Sequence, residues 1–125
     1  MGKFVIKKTN TGFNFHLKAG NGETVATSED YKELGTCYEG VQAVIRNAQL
    51  ANVEDQTVAK YEEQKNPKFE IYKDKSNHFR FHLKATNGEI IVASEPYTTK
   101  ANCKNGINST KKNVVNAQIV EQFEE

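Results

Sequence analysis

Apolar and polar residues alternate one by one at the start of the chain. Phe4 and Ile6 interleave with Lys3, Val5 and Lys7, then Phe13, Phe15, Leu17 and Ala19 interleave with Asn14, His16 and Lys18. A period of two is that of a half-buried β-strand. Asn21-Gly22 follows, a dipeptide suited to the positive φ of a tight hairpin, and leads into a third strand over Glu23 to Ser28. After Tyr31 the period lengthens. Cys37, Val41, Val44 and Ala48 fall at spacings of four, three and four, the stripe of an amphipathic helix. A short run with strand character, Asn52 to Thr57, closes the unit. The pattern reads β-β-β-α-β.

The same pattern then returns. Phe13-Asn-Phe-His-Leu-Lys-Ala19 recurs as Phe79-Arg-Phe-His-Leu-Lys-Ala85, an offset of 66 residues that also relates Asn21-Gly-Glu23 to Asn87-Gly-Glu89, Ser28-Glu29 to Ser94-Glu95, Tyr31 to Tyr97, Cys37 to Cys103 and Gly40 to Gly106. Before Phe13 the offset is 65, so the second copy carries one extra residue in the loop from Asp74 to His78, where a surface turn tolerates it. Phe69, Ile71, Phe79, Phe81, Leu83 and Ala85 repeat the apolar face, with Lys68, Glu70, Tyr72, Arg80, His82 and Lys84 on the other. Cys103, Ile107, Thr110 and Val114 repeat the helical stripe, and Gln118 to Phe123 the last strand. The expected boundaries are residues 1–57 for repeat one, 58–66 for a linker rich in Glu, Gln and Lys, and 67–125 for repeat two, opened by Pro67. A unit of about 60 residues buries little of its unfolded surface. Two copies sharing one core in a single compact domain is therefore expected, and with it a monomer.

Several residues have local roles to fill. Thr98 or Thr99 is expected to cap the second helix, and Ser28, Asp30 or Thr36 the first. Gly40 and Gly106 recur within the helices, where glycine costs about 1 kcal/mol relative to alanine; their repetition predicts a close approach to the backbone.

Charge narrows the functional classes. Lys+Arg 17 against Asp+Glu 16 leaves a net charge of +1 with the signs interspersed, so any basic site is local. No stretch approaches the roughly 18 apolar residues of a membrane span, and the N-terminus lacks the apolar segment of a secretion signal, so a cytoplasmic location is expected. In such a compartment two cysteines are not expected to form a disulfide. No CxxC or Cys/His grouping points to zinc, no GxxxxGK loop points to a nucleotide, and no cofactor is expected.

The paired patterns Lys-Phe-x-Ile, Phe-x-Phe-x-Leu-Lys-Ala-x-Asn-Gly-Glu and Ser-Glu-x-Tyr, with Gly-Ile-Asn-Ser in the second copy, resemble the YegP-like family over essentially the whole chain. Tyr38 and Gly40-Val-Gln-Ala in the first copy depart from a more polar pattern. The resemblance implies an α+β fold in which two β-β-β-α-β motifs merge into one mainly antiparallel sheet with helices on one face and the last strands exchanged between motifs. It brings no catalytic residues, because the family has no assigned function.

Four groups of residues are candidates for chemistry. His16 and His82 recur on the strand face opposite the phenylalanines, where imidazole can act as acid, base or ligand; no carboxylate, cysteine or second histidine is spaced to sit beside either, which favours plain sheet histidines. Cys37 and Cys103 would be nucleophiles if ionised, yet both lie on the apolar helical stripe, where free cysteine packs as a small hydrophobe. Ser28-Glu29 and Ser94-Glu95 are explained by turn and helix-start chemistry. Lys3, Lys7, His16 and Lys18 in one copy and Lys68, Arg80, His82 and Lys84 in the other make two matched basic stripes, read most simply as a solvated lysine-rich face.

The first functional expectation is thus a small non-catalytic binding module that presents a pseudo-two-fold sheet surface to a macromolecular partner, a protein first of all, with no membrane involved. The second is nucleic-acid binding through the basic stripes, which lacks stacking platforms because Tyr72 is the one outward aromatic. The third is an enzyme using His16/His82 or Cys37/Cys103.

Overall fold

The computed structural model describes residues 2–123. Residues 124 and 125, the end of the second repeat as read from the sequence, lie outside the described residues. The elements are β1 (Lys3–Lys8), β2 (Phe13–Lys18), β3 (Thr24–Thr27), α1 (Leu34–Leu50), β4 (Asn52–Asp55), β5 (Lys68–Lys73), β6 (Phe79–Lys84), β7 (Ile90–Ala93), α2 (Lys100–Asn113) and β8 (Gln118–Gln122).

All eight strands join one sheet in the order β4-β5-β6-β7-β3-β2-β1-β8. Each repeat contributes a three-stranded meander, and the two meanders meet at β3 and β7 through a single antiparallel partnership, Thr27 with Ala93. The last strand of each repeat crosses to the other. β4 runs parallel to β5, and β8 runs parallel to β1. The exchange is clamped by side chains: α2 reaches β4 through Lys100 Nζ to Asp55 Oδ2 at 2.9 Å, and the Tyr38 hydroxyl of α1 donates to the Glu121 carboxylate of β8. One half of the sheet is therefore β1, β2, β3 and β8, and the other is β4 to β7.

Alternation decides which face is buried. Phe4, Ile6, Phe15 and Leu17, with Phe69, Ile71, Phe81 and Leu83, lie fully buried beneath Cys37, Val41, Val44 and Ala48 of α1 and Cys103 and Ile107 of α2, in one continuous core drawn from both repeats. Burying an aromatic or branched side chain of this size contributes about 1.5–3 kcal/mol, so the shared core is what makes one body of two small units. Phe4 meets Phe15 edge-on at 5.7 Å between centroids, as Phe69 meets Phe81 at 5.8 Å.

The glycines explain themselves here. The Tyr31 ring stacks on Phe15 and brings its hydroxyl onto Gly40, where any Cβ would overlap it; Tyr97 stacks on Phe81 and does the same at Gly106. Gly22 and Gly88, at φ +87° and +86°, turn the hairpins into β3 and β7.

Two local expectations need correction. Thr99 caps α2, accepting from the Asn102 amide at 3.1 Å, but α1 starts at Glu33 with no side-chain cap, because Thr36 Oγ1 instead donates to the Glu33 carbonyl. Ser28 and Ser94 do not serve a helix start either. Their hydroxyls accept the amides of Phe15 and Phe81 across the sheet, at 2.9 and 3.0 Å, and donate to the carbonyls of Glu29 and Glu95.

Candidate binding face

Both helices pack on the phenylalanine side, so the opposite face of the sheet carries the polar alternates. Strand register places them in rungs. One rung crosses all eight strands through Glu54, Glu70, His82, Ala93, Thr27, His16, Val5 and Val120; a parallel rung runs through Asn52, Lys68 and Lys84 in one half and Gln118, Lys3 and Lys18 in the other.

In the half built on β4 to β7 the basic stripe is not solvated. Lys68 and Glu70, expected in water, are 7% and 5% exposed, and Glu54 is 2% exposed. Lys68 Nζ lies 2.8 Å from Glu54 Oε1 and 3.2 Å from Glu70 Oε2, and Lys84 Nζ lies 3.3 Å from that same Glu70 oxygen. His82 Nε2 sits 2.5 Å from Glu70 Oε1, so the histidine that lacked a carboxylate neighbour on sequence spacing has one across the ladder. Arg80 Nε bonds Asp74 Oδ2 at 2.7 Å, while Asp74 Oδ1 accepts the amides of Ser76 and His78 and closes the loop. The expected linker covers this cluster through the Gln64 amide, which donates to Glu54 Oε1 at 2.7 Å, and just before the linker Gln56 Nε2 donates to Oε2 at 2.6 Å.

A buried charge is tolerated only when paired and hydrogen-bonded. Burial alone would raise the Glu54 pKa, but the bonds from Lys68, Gln56 and Gln64 overcome it and hold the carboxyl at about 2. Glu70 is likewise lowered, against the effect of burial, by His82 and Lys68, and the bond to Glu54 raises the Lys68 ammonium.

The half built on β1, β2, β3 and β8 has the basic residues without the acids. Val5 stands where Glu70 stands, Val120 where Glu54 stands, and Thr9 where Asp74 stands. Lys3 and Lys18 face each other across the ladder as Lys68 and Lys84 do, with Lys7 next along β1. Among the described residues no carboxylate pairs with any of these three lysines. His16 lies 3.0 Å from Thr27 Oγ1 through Nδ1, and burial, then Lys7 and Lys18, push its pKa below the ordinary histidine value.

The eight candidate residues thus separate into a neutralised set, Lys68, Arg80, His82 and Lys84, and an uncompensated set, Lys3, Lys7, His16 and Lys18. Sequence reasoning missed Glu54, Glu70 and Asp74. Glu70 was legible, because a hairpin closing at Asp74 to His78 sets it opposite His82. Glu54 was not, because it arrives by strand exchange.

The remaining candidates offer little chemistry. Cys37 and Cys103 are free and fully buried, and burial pushes both thiols up to about 11. A cleft of about 530 Å³ opens where β3 and β7 diverge, lined by Glu29, Asp30, Tyr31, Lys84, Glu89 and Ile90. Among the described residues no group of three or more His, Cys, Asp or Glu side chains is placed to hold a metal ion, and no helix is long and apolar enough to cross a membrane.

Comparison with known proteins places this geometry in a wider set. The sequence model of a family described as "Domain of unknown function (DUF1508)" matches twice, over residues 9–55 and 74–121. The UPF0339 protein YegP of Yersinia pestis is 34% identical over 120 residues, covering 95% of this chain and 94% of that protein. A UPF0339 protein of Treponema denticola is 61% identical over 54 residues, 43% of this chain but 93% of its own length. The solution structure of yegP from E. coli, described as a protein of unknown function, superposes with a TM-score of 0.80 at 30% identity, covering 99% of this chain and 95% of that one.

Proposed function

The chain belongs to the DUF1508 family of uncharacterised proteins, and from that premise we propose that it is a non-catalytic binding module whose helix-free sheet face receives a macromolecular partner. The observation that carries this reading is the one-sided architecture: the described helices cover the sheet on the phenylalanine side, and on the other side the segment through Gln64 lies over Glu54, which leaves the rungs of Lys3, Lys7 and Lys18 in the other half open.

An enzymatic reading lacks its parts. The thiols are buried and held protonated, and the His82–Glu70 pair spends its carboxylate on Lys68 and Lys84, with no nucleophile among its contacts. Nucleic-acid binding is disfavoured by the aromatic inventory of the face, because Tyr72 packs on the His82 ring at 5.0 Å between centroids and so is not free to stack a base.

The test is site-specific photo-crosslinking in a native lysate. A probe at Gln118, exposed on the open-face rung beside Lys3, is expected to form discrete protein adducts, while a probe at Gln42, exposed on α1, forms none. Adducts from Gln42 alone would refute the assignment of the face.

A further inference from the structure

The two halves of the open face differ in a way that identifies what one of them lacks. Like charges directly opposite on neighbouring strands repel, yet the fold sets a lysine against a lysine twice, Lys68 with Lys84 and Lys3 with Lys18. In the first case the chain supplies the remedy. Glu70 rises between the two ammonium groups, its Oε2 3.2 Å from Lys68 Nζ and 3.3 Å from Lys84 Nζ, and its other oxygen meets His82 Nε2 at 2.5 Å. Two lysines and a histidine grip one carboxylate.

In the second case the same three cationic or ionisable residues stand at equivalent positions, as Lys3, Lys18 and His16, and Val5 replaces the carboxylate. Three cations, Lys68, Lys84 and Arg80, are matched by three carboxylates in one half; three lysines face none in the other among the described residues. Val5 is buried and Val120 half-buried beside it, so the floor of the second grip is apolar. We propose that Lys3, Lys18 and His16 form a receptor for a carboxylate presented by an acidic segment of a partner protein, seated in the place that Glu70 fills in the other half.

This rests on the open face being the binding surface and adds which half binds and what it binds. The choice of a peptide carboxylate over a nucleic-acid phosphate comes from the chain's own example. The group gripped in the matching half is a glutamate, and the neighbour that bonds Glu54 over that half is again polypeptide, through the Gln64 amide. An aspartate or glutamate side chain also brings a methylene stem to lie on Val5 and Val120, whereas among the described residues the open rungs of this half offer no aromatic ring for a base. The groups facing His16 are Lys7, Lys18, Thr27 and, further off, Glu95; an arriving carboxylate would make its protonated form easier to hold.

The experiment titrates the full-length, isotope-labelled protein with a hexaglutamate peptide, a hexaglutamine control, inorganic phosphate and an oligothymidylate, following backbone and histidine-ring resonances. Saturable shifts centred on Lys3, Val5, His16 and Lys18 with hexaglutamate, absent with hexaglutamine, are expected. Lys18→Gln should weaken binding about tenfold, roughly one charge-assisted contact, while Lys84→Gln in the other half leaves it unchanged. Val5→Glu, which gives this half its own internal carboxylate, should abolish hexaglutamate binding and raise the His16 titration midpoint; should that variant not fold, Lys3→Gln and Lys18→Gln carry the decision.

The proposal is overturned if hexaglutamate binds no better than hexaglutamine, if the shifts fall on the Lys68 half, or if oligothymidylate or phosphate binds through Lys3 and Lys18 more tightly than the peptide. If the Gln118 crosslinker still captures its partner from variants lacking Lys3 and Lys18, the receptor fails while the binding face stands. Capture through Gln42 alone removes the face itself.

Discussion

The two halves of this molecule pack matching residues in matching contacts on one side of the sheet and are electrostatically different on the other. Beneath the helices the residues match almost one for one, Phe15 with Phe81, Leu17 with Leu83, Tyr31 with Tyr97 and Cys37 with Cys103, because each fills a close-packed site where a change of volume is felt. On the open side Glu54, Glu70 and Asp74 answer to Val120, Val5 and Thr9. Glu54, Glu70 and Val5 are buried too, so the difference teaches that one fold position accepts either a paired carboxylate or an apolar side chain: one half satisfies its own cations, and the other holds its lysines without an internal partner among the described residues.

The most forceful way to probe the matched side is to delete its aromatics. Phe15→Ala and Phe81→Ala should each cost about 3–5 kcal/mol, with a single unfolding transition in both cases by calorimetry or denaturant titration. Two separable transitions, or a large gap between the variants, would break the view of one shared core.

Next comes the mismatched side. Glu54→Gln leaves Lys68 buried with only Glu70, and should cost about 3 kcal/mol; Val120→Gln, its counterpart, should cost less than about 1 kcal/mol. The acid dependence sharpens the contrast. With the Glu54 carboxyl at about 2 in the folded protein against its ordinary value of 4.5, the stability it confers is complete above pH 4.5 and is lost as the pH falls toward 2. Denaturant titrations across that window should show a decline that the Glu54→Gln variant has largely lost.

A smaller effect belongs to the helix glycines. Gly40→Ala and Gly106→Ala gain about 1 kcal/mol of helix propensity but drive a methyl into the tyrosine hydroxyl, for a net loss of about 1–2 kcal/mol. The two changes should cost about the same, because a Cβ at Gly40 would sit slightly nearer the tyrosine hydroxyl, and one at Gly106 nearer the phenylalanine, 2.9 Å against 3.2 Å. The least visible effect is at the thiols. A thiol reagent at neutral pH should modify neither Cys37 nor Cys103 faster than the protein unfolds, measured by mass spectrometry, and rapid labelling of one alone would show that the halves differ in the core as well.

The strands, the helices and the repeat were legible because period and spacing are local: Phe13 to Ala19 needs no knowledge of Phe79 to declare a strand. Gly40 and Gly106 were legible as close-approach sites because they recur, although the approaching group, a tyrosine hydroxyl, was not. The open face was read as two equal basic stripes because residues were judged strand by strand. Charge balance is set by cross-strand neighbours, and the deciding carboxylate for Lys68 comes from β4, which no local pattern joins to β5. His82 is a different case: Glu70 is twelve residues away in sequence, but the hairpin that the alternation predicts is enough to set the two opposite each other.

The exchange of β4 and β8 also constrains how the protein can be made. The first meander emerges early in synthesis, but the neighbour that covers β1 is written at residues 118 to 122. Until residues 118 to 122 have left the ribosome, β1 presents a bare edge, so closure of the sheet waits for the end of the second repeat and is not an event of the nascent first half.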